Sequence, residues 1–254
     1  GLEILRKSGI SVELASQNFQ SHTTRLNFIF NHNMRTSGPL VALKLAESAN
    51  GMVAEQAGRP SQVTQEKAQG DVMRWRRLFP AICVGSGTVL SDDPTLTARL
   101  PDETWCPVRI LVDSSLSTLR GDITSRKVYV DEFSARTVIL TTAKGTGHAE
   151  RVARAKELGI RLIETGEGQG GGIDPVGLRA VLFEFGFNAL YCEGGPTLAR
   201  SLLESSEIDY LFHYRSSKLF EGTDALPGPG LDGYPVREPI EEMLGEDRLV
   251  HGFL

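Results

Sequence analysis

The sequence predicts an α/β protein built on a mostly parallel central sheet with helices on both faces, and three observations carry that reading. Short apolar runs at 81–86, 108–113, 137–142, 160–165 and 188–193 alternate with helical stretches, the pattern of parallel strands covered above and below. The final segments, DYLFHYRSS at 209–217 and RLVHGFL at 248–254, have no obvious helix between them, which predicts antiparallel strands added at one sheet edge. At 254 residues, 40% hydrophobic and 23% charged, the chain suits one large domain with a proper core, with or without a short appendage.

In chain order, residues 1 to about 36 stand apart. GLEILRKSGISVEL reads as a short helix ending at Gly9 and an extended stub, and a polar helical stretch follows from about Ala15 to Asn33, with too little apolar material for its own core. LVALKLAESANGMVA at 40–54 reads as a buried strand, a turn at Asn50-Gly51 and a short return strand. Residues 64–79 show helical periodicity through Val72, Trp75 and Leu78, with Thr64 as N-cap and Glu66 near the positive end. Helices are expected near 148–158 and 175–185, and Glu167-Gly168-Gln169-Gly170-Gly171-Gly172 reads as a flexible surface loop, because its glycines do not follow a strand directly.

Two segments carry the chemistry. GSGTVLSDDPTLTAR at 85–99 reads as a loop in which Gly85 and Gly87 let backbone approach a ligand, Asp92 and Asp93 precede the stiff Pro94, and Arg99 offers a permanent cation for a phosphate. A strand leaving the core through an Asp-Pro turn is the competing reading. In EGGPTLARSLL at 193–203 a buried strand ends at Glu193, two glycines bring the chain round, and Pro196 opens a helix whose free N–H groups suit a pyrophosphate. An acid at the end of a buried strand must be solvated by specific partners, which marks Glu193 as a site candidate.

A net charge of −5 argues against nonspecific nucleic-acid binding and requires local cations for an anionic substrate, with Arg74, Arg76, Arg77 and Arg99 the supply. No apolar run approaches the roughly 18 residues of a membrane span, and the N-terminus lacks the order of a signal peptide, so a cytoplasmic protein without membrane partners is expected. Cys83, Cys106 and Cys192 are odd in number and widely spaced, which excludes a disulfide framework and a Cys-x-x-Cys metal site. His148 and Glu150 form the His-x-Glu that opens a zinc nucleobase-deaminase site, but the completing Pro-Cys-x-x-Cys is missing, so His148 is expected in the first turn of a surface helix. His22, His32, His213 and His251 lack metal spacing too, and no metal is expected.

Taken together, LKLAESANG at 43–51, VGSGTVLSDDPTLTAR at 84–99, VRILVDS at 108–114, EGGPTLARSLL at 193–203, SKLFEGTDALPG at 217–228 and the terminal LVHGFL resemble the reductase half of the bifunctional riboflavin-biosynthesis deaminase/reductase, the RibD family, with its dihydrofolate-reductase-like three-layer fold. The resemblance implies a reductase domain over 37–254 and, over 1–36, the tail of a preceding deaminase domain with its connecting helix. It also implies NADPH-dependent reduction of the ribosyl group of 5-amino-6-(5-phosphoribosylamino)uracil to a ribityl chain, and it allows a homodimer. Carried over by position, Ala46, Thr88, Asp92, Ser114, Gly194, Gly195, Pro196 and Thr197 would contact NADPH. Arg76, Leu96, Arg99 and Glu193 would face the phosphoribosyl substrate, Arg76 and Arg99 at its phosphate. Asp92, Glu193 and Lys44 would be catalytic.

The chain departs from the family in places. Pro60 and Gln62 stand where the family has a substrate-touching serine and a cofactor-packing tryptophan, Ser48-Ala49-Asn50-Gly51 replaces Ser-Leu-Asp-Gly, and Ser115 replaces the arginine after Asp-Ser. Two alternatives therefore stay open: NADPH chemistry on another substrate, and a noncatalytic nucleotide-binding remnant.

Overall fold

The computed structural model describes the backbone of all 254 residues and every side chain except those of residues 18, 20–22 and 169. The side chains of His22 and Gln169, considered above, therefore lie outside the described residues. The chain forms two units, Gly1–Gly38 and Pro39–Leu254. In the first, α1 (Leu2–Lys7) is followed by α2 (Gln17–Leu26), capped by the Ser16 hydroxyl, and α3 (Phe28–Thr36). The single helix expected over 15–33 is thus two. Asn27 breaks it, leaving the helical region at φ −103 and ψ 26 and returning its side-chain amide to the Thr23 carbonyl.

The second unit begins with β1 (Leu40–Glu47), β2 (Met52–Ala54), α4 (Glu66–Leu78), β3 (Ala81–Gly85), α5 (Ser86–Asp92), β4 (Ala98–Arg99), β5 (Thr104–Trp105) and β6 (Val108–Val112). It continues through α6 (Lys127–Val130), β7 (Thr137–Thr141), α7 (Ala143–Thr146), α8 (Ala149–Glu157), β8 (Arg161–Glu164), α9 (Pro175–Glu184) and β9 (Ala189–Cys192). Its last elements are α10 (Pro196–Glu204), β10 (Tyr210–Arg215), β11 (Leu226–Pro227), β12 (Arg237–Leu244) and β13 (Asp247–Phe253).

Nine strands form one sheet in the order β12-β13-β10-β1-β9-β3-β6-β7-β8. From β10 to β8 every pairing is parallel, so the 209–217 segment, expected as an antiparallel edge strand, instead extends the parallel sheet beside β1. β13 joins antiparallel at the β10 edge, as expected for the last segment, and β12 follows it. Strand alternation sorts the side chains. Val41, Leu43, Leu45, Cys83, Leu190, Cys192 and Leu211 share a core with Leu178 and Leu182 of α9 and Ala199, Leu202 and Leu203 of α10. On the other face Trp75 of α4 packs 4.6 Å from Phe212, and Phe79 packs 5.0 Å from Tyr191. Each fully buried side chain of this size contributes about 1.5–3 kcal/mol, so both layers are held by apolar burial.

Several local expectations change. Gln65, not Thr64, caps α4 and lacks a side-chain cap bond; its own N–H is taken by the Asp247 carboxylate at 2.6 Å. Residues 86–92 are helical rather than a loop, the chain turning out of α5 at Asp93 in a left-handed conformation. β2 leaves the main sheet to pair with β11. Inside the expected 218–247 loop lies β12, an eight-residue strand whose mostly exposed, charged residues carry no apolar alternation. His148 caps α8 instead of lying in its first turn. All three cysteines are buried, as small apolar residues would be. None of the described helices is long and apolar enough to cross a membrane.

Candidate active-site cleft

The parallel strands β1, β3, β6 and β9 run in register, so their carboxyl ends deliver Lys44, Gly85, Val112 and Glu193 to one side of the sheet, where open α/β folds place their ligands. A cleft of about 960 Å³ lies there. Of the residues singled out from sequence, Lys44, Ala46, Arg76, Thr88, Asp92, Leu96, Ser114, Glu193, Gly194, Gly195, Pro196 and Thr197 all line it. Arg99 does not; its Nη1 rests 3.2 Å from the Thr95 hydroxyl and 3.5 Å from that of Thr97, and its side chain is exposed.

The floor of the cleft is a largely buried charge cluster. Arg76 reaches from α4 to grip Glu193 with both arms, Nε to Oε1 at 2.6 Å and Nη2 to Oε2 at 3.0 Å, while Nη1 donates to the Thr97 carbonyl at 2.9 Å. Lys44 Nζ stands 3.8 Å from Glu193 Oε2 and lies over the Tyr214 ring. Burial by itself would raise the Glu193 carboxyl, but the Arg76 and Lys44 cations more than compensate and hold it below the ordinary carboxylate value. Burial also pulls the Lys44 ammonium below its ordinary value, with Arg76 adding to the effect and Glu193 opposing it. The sequence reading assigns Arg76 to a ligand phosphate; three of its five N–H donors are instead spent within the protein.

The wall opposite is built from α5 and the turn behind it. Asp92 ends α5 and is exposed, with the Ser91 hydroxyl at 2.6 Å from Oδ1. Leu96, buried at 2% exposure, presents its surface to the cleft from a backbone at φ 57.

Gly194 permits the tight strand-to-helix turn that leads into α10, since a Cβ there would meet Leu198 at 2.9 Å. Pro196 follows as the first residue of the helix, and the Gly195 cap supplies no side-chain acceptor. The first turn of α10 thus presents backbone donors without a side-chain cap at the cleft, a chemistry that fits a pyrophosphate. Beyond β6 the Asp113 carboxylate is fully engaged, Oδ1 accepting from the Ser117 N–H and hydroxyl and Oδ2 from those of Thr118, all within 2.9 Å. Asp113 is therefore turned into its own loop, and Ser114 is the residue that faces the cleft.

Among the contributors that sequence reasoning missed are a glycine-rich segment and an arginine. Gly170, Gly171, Gly172 and Ile173 line the cleft, although the 167–172 loop follows no strand and reads as surface; its approach is visible only in three dimensions. Arg59 lines it too, on a loop pinned by the bond from the Glu55 N–H to the Ser61 hydroxyl and by Lys218 donating to the Gln62 carbonyl. Among the described residues no three His, Cys, Asp or Glu side chains are placed to hold a metal.

Fold and cleft together define an α/β protein with an open cleft over the carboxyl ends of a parallel sheet. The RibD C-terminal domain family matches residues 39–232, and the chain belongs to that family. It is 32% identical over 225 residues to the riboflavin biosynthesis protein RibD of Bacillus amyloliquefaciens, covering 88% of this chain and 57% of the relative. Against RibD of Actinobacillus pleuropneumoniae the identity is 30% over 259 residues, covering 98% and 65%. The chain thus spans roughly three fifths of the length of these relatives. Two solved structures share the fold. A diaminohydroxyphosphoribosylaminopyrimidine deaminase/5-amino-6-(5-phosphoribosylamino)uracil reductase from Thermotoga maritima superposes with a TM-score of 0.74 at 22% identity, over 98% of this chain and 66% of that one. A riboflavin biosynthesis reductase from Saccharomyces superposes with a TM-score of 0.65 at 19% identity, over 91% and 100%.

Proposed function

We propose that this chain is the reductase of riboflavin biosynthesis, using NADPH to convert the ribosyl group of 5-amino-6-(5-phosphoribosylamino)uracil into a ribityl chain. The observation that carries the reading is the Lys44–Glu193–Arg76 cluster on the floor of a cleft whose rim is the uncapped start of α10. Family membership supports it, and a volume of about 960 Å³ is at the upper end of ordinary small-molecule sites, roughly 300–1,000 Å³.

In the substrate, the opened ribosylamine presents a C1′=N bond. Reduction adds a hydride at C1′ and a proton at nitrogen, giving CH2–NH; NADPH, when bound, would supply the hydride and leave as the oxidised nicotinamide. Lys44 donates that proton, its lowered pKa bringing it closer to a useful acid at neutral pH, and solvent reprotonates it. Glu193 holds the ammonium in place, and Arg76 neutralises Glu193. From the exposed wall Asp92 would contact both cofactor and sugar, and Leu96 would bound the substrate. Ala46, Thr88, Ser114 and the Gly194–Thr197 turn, which line the cleft, would hold the cofactor, and Ser114 is the residue suited to a 2′-phosphate. Arg99, outside the cleft lining, reaches the phosphate only from the rim.

The test is loss of near-ultraviolet absorbance of reduced nicotinamide on adding the freshly deaminated pathway intermediate. Turnover with NADPH is expected. NADPH binding without turnover would point to the noncatalytic reading, and turnover only with a different carbonyl compound to the other.

A further inference from the structure

The cleft wall between Asp93 and Leu96 is strained. Asp93 has φ 42 and Leu96 φ 57, both in the left-handed region that L side chains rarely adopt, and such residues persist only where their surroundings over-determine them. The surroundings here are specific. Asp93 Oδ1 accepts from the Lys127 N–H at 2.9 Å, and its Oδ2 faces Lys127 Nζ at 3.5 Å. The Thr95 carbonyl accepts from Arg109 Nη1 at 3.1 Å.

Arg109 is wholly buried, with 0% exposure, and every N–H of its guanidinium is used. Nε donates to the Thr137 hydroxyl at 2.9 Å, and Nη2 to the Val128 carbonyl at 3.0 Å. The remaining two bonds form a fork on Asp131, at 2.6 and 2.8 Å. Lys127, Val128 and Asp131 all belong to α6 or its end, so one short helix and one buried cation hold the strained wall from behind. None of Lys127, Arg109 or Asp131 lines the cleft.

We propose that Arg109, Asp131 and Lys127 are positioning residues for the reaction: they hold the Asp93–Leu96 wall, and through it Asp92, in the geometry that receives the substrate. This rests on the reductase reading above. The bond to the Thr95 carbonyl is the link that joins this buried cation to the wall itself. An arginine is required because only its planar fork meets a carboxylate and two carbonyls at once.

Lys127→Pro is the discriminating variant. Lys127 is the first residue of α6 and follows an extended Arg126 at φ −73, ψ 111, a place that accepts proline. The change removes both ties to Asp93 and leaves every buried group in place. Its Tm and NADPH affinity are expected to stay near those of the parent. The KM for the phosphoribosyl substrate should rise and kcat fall, lowering kcat/KM about tenfold, ~1.4 kcal/mol. Arg109→Lys should do the same more strongly in its folded fraction. Unchanged kcat and KM in Lys127→Pro would overturn the proposal, as would a fall in kcat that only tracks loss of folded protein. Amide hydrogen exchange over residues 93–97 gives a readout independent of turnover. Faster exchange in Lys127→Pro supports the positioning role even if the parent reduces no substrate, which would sink only the reductase reading. Unchanged exchange sinks the positioning role.

Discussion

The two sides of the cleft hold their carboxylates in opposite ways. Glu193, on the floor, is 10% exposed and gripped by two cations. Asp92, on the wall, is exposed and has a neighbouring serine hydroxyl as its hydrogen-bond partner. A buried ion must be solvated by the protein, so the floor is fixed in place before any ligand arrives. An exposed carboxylate has its remaining lone pairs free for a ligand. The fold thus spends its electrostatics on one side and leaves the other available, and the two carboxylates should answer differently to the same substitution.

The largest effect is expected at the floor. Glu193→Ala leaves Arg76 and Lys44 buried without their shared counter-ion, a change that costs about 3–5 kcal/mol in comparable buried pairs. Thermal unfolding should fall by on the order of 10 °C for a chain of this size, and activity should be lost with it. A Tm equal to that of the parent would show that the floor is not held by this cluster. The pH dependence sharpens the point. Because the Glu193 carboxyl is lowered in the folded protein, its contribution is present above the ordinary value of 4.5 and is lost as pH falls through the lowered folded value. Comparing acid unfolding of the parent with Glu193→Gln should therefore show a stability gap at neutral pH that narrows below pH 4.5. A gap independent of pH would assign it to packing instead.

At the wall the same kind of change should spare stability. Asp92→Asn keeps the shape but loses the charge, and no buried partner is stranded. Its Tm and NADPH affinity should match the parent while kcat falls about a hundredfold, the lower range for loss of a positioned acid or base. A fully active Asp92→Asn enzyme would remove Asp92 from the mechanism and return the Asp-Asp-Pro step to a simple turn.

How much of this is legible in the sequence follows the same physical division. The central strands announce themselves because burial on both faces demands continuous apolar runs, as in Ala81–Gly85 and Ala189–Cys192. β12 does not, because its ladder to β13 is backbone hydrogen bonding with exposed charged side chains, which leaves no apolar period to read. Glu193 is legible as an acid at the end of a buried strand, yet its partner Arg76 lies 117 residues away and pairing at that separation has no local signature. The helix α5 is hidden by Gly87 and by the Asp-Asp-Pro that ends it, both of which read as turn signals. The 170–173 segment reaches the cleft through tertiary placement alone.

Cofactor choice should show a smaller effect, near Ser114. With Asp113 held by four hydrogen bonds inside its own loop, no carboxylate of that loop repels a 2′-phosphate, and NADPH should bind more tightly than NADH. Ser114→Asp should reverse or erase the preference by about tenfold, ~1.4 kcal/mol, when both cofactors are titrated by fluorescence. Tighter NADH binding by the parent would contradict the role given to Ser114.

The smallest effect is expected at Arg99, because it stands outside the cleft lining. In a screened, exposed position a single cation attracts a phosphate by roughly 0.2–1 kcal/mol, so Arg99→Ala should raise KM by about fivefold or less and leave kcat unchanged. Raising the salt concentration should shrink the difference between parent and variant, since a rim contact is screened while a desolvated one is not. A KM increase of a hundredfold that survives high salt would mean that the wall closes over the substrate and brings Arg99 onto the phosphate. In that case the loaded cleft would hold its exposed side by desolvated charge pairs, in the same way that Arg76 and Lys44 hold the floor.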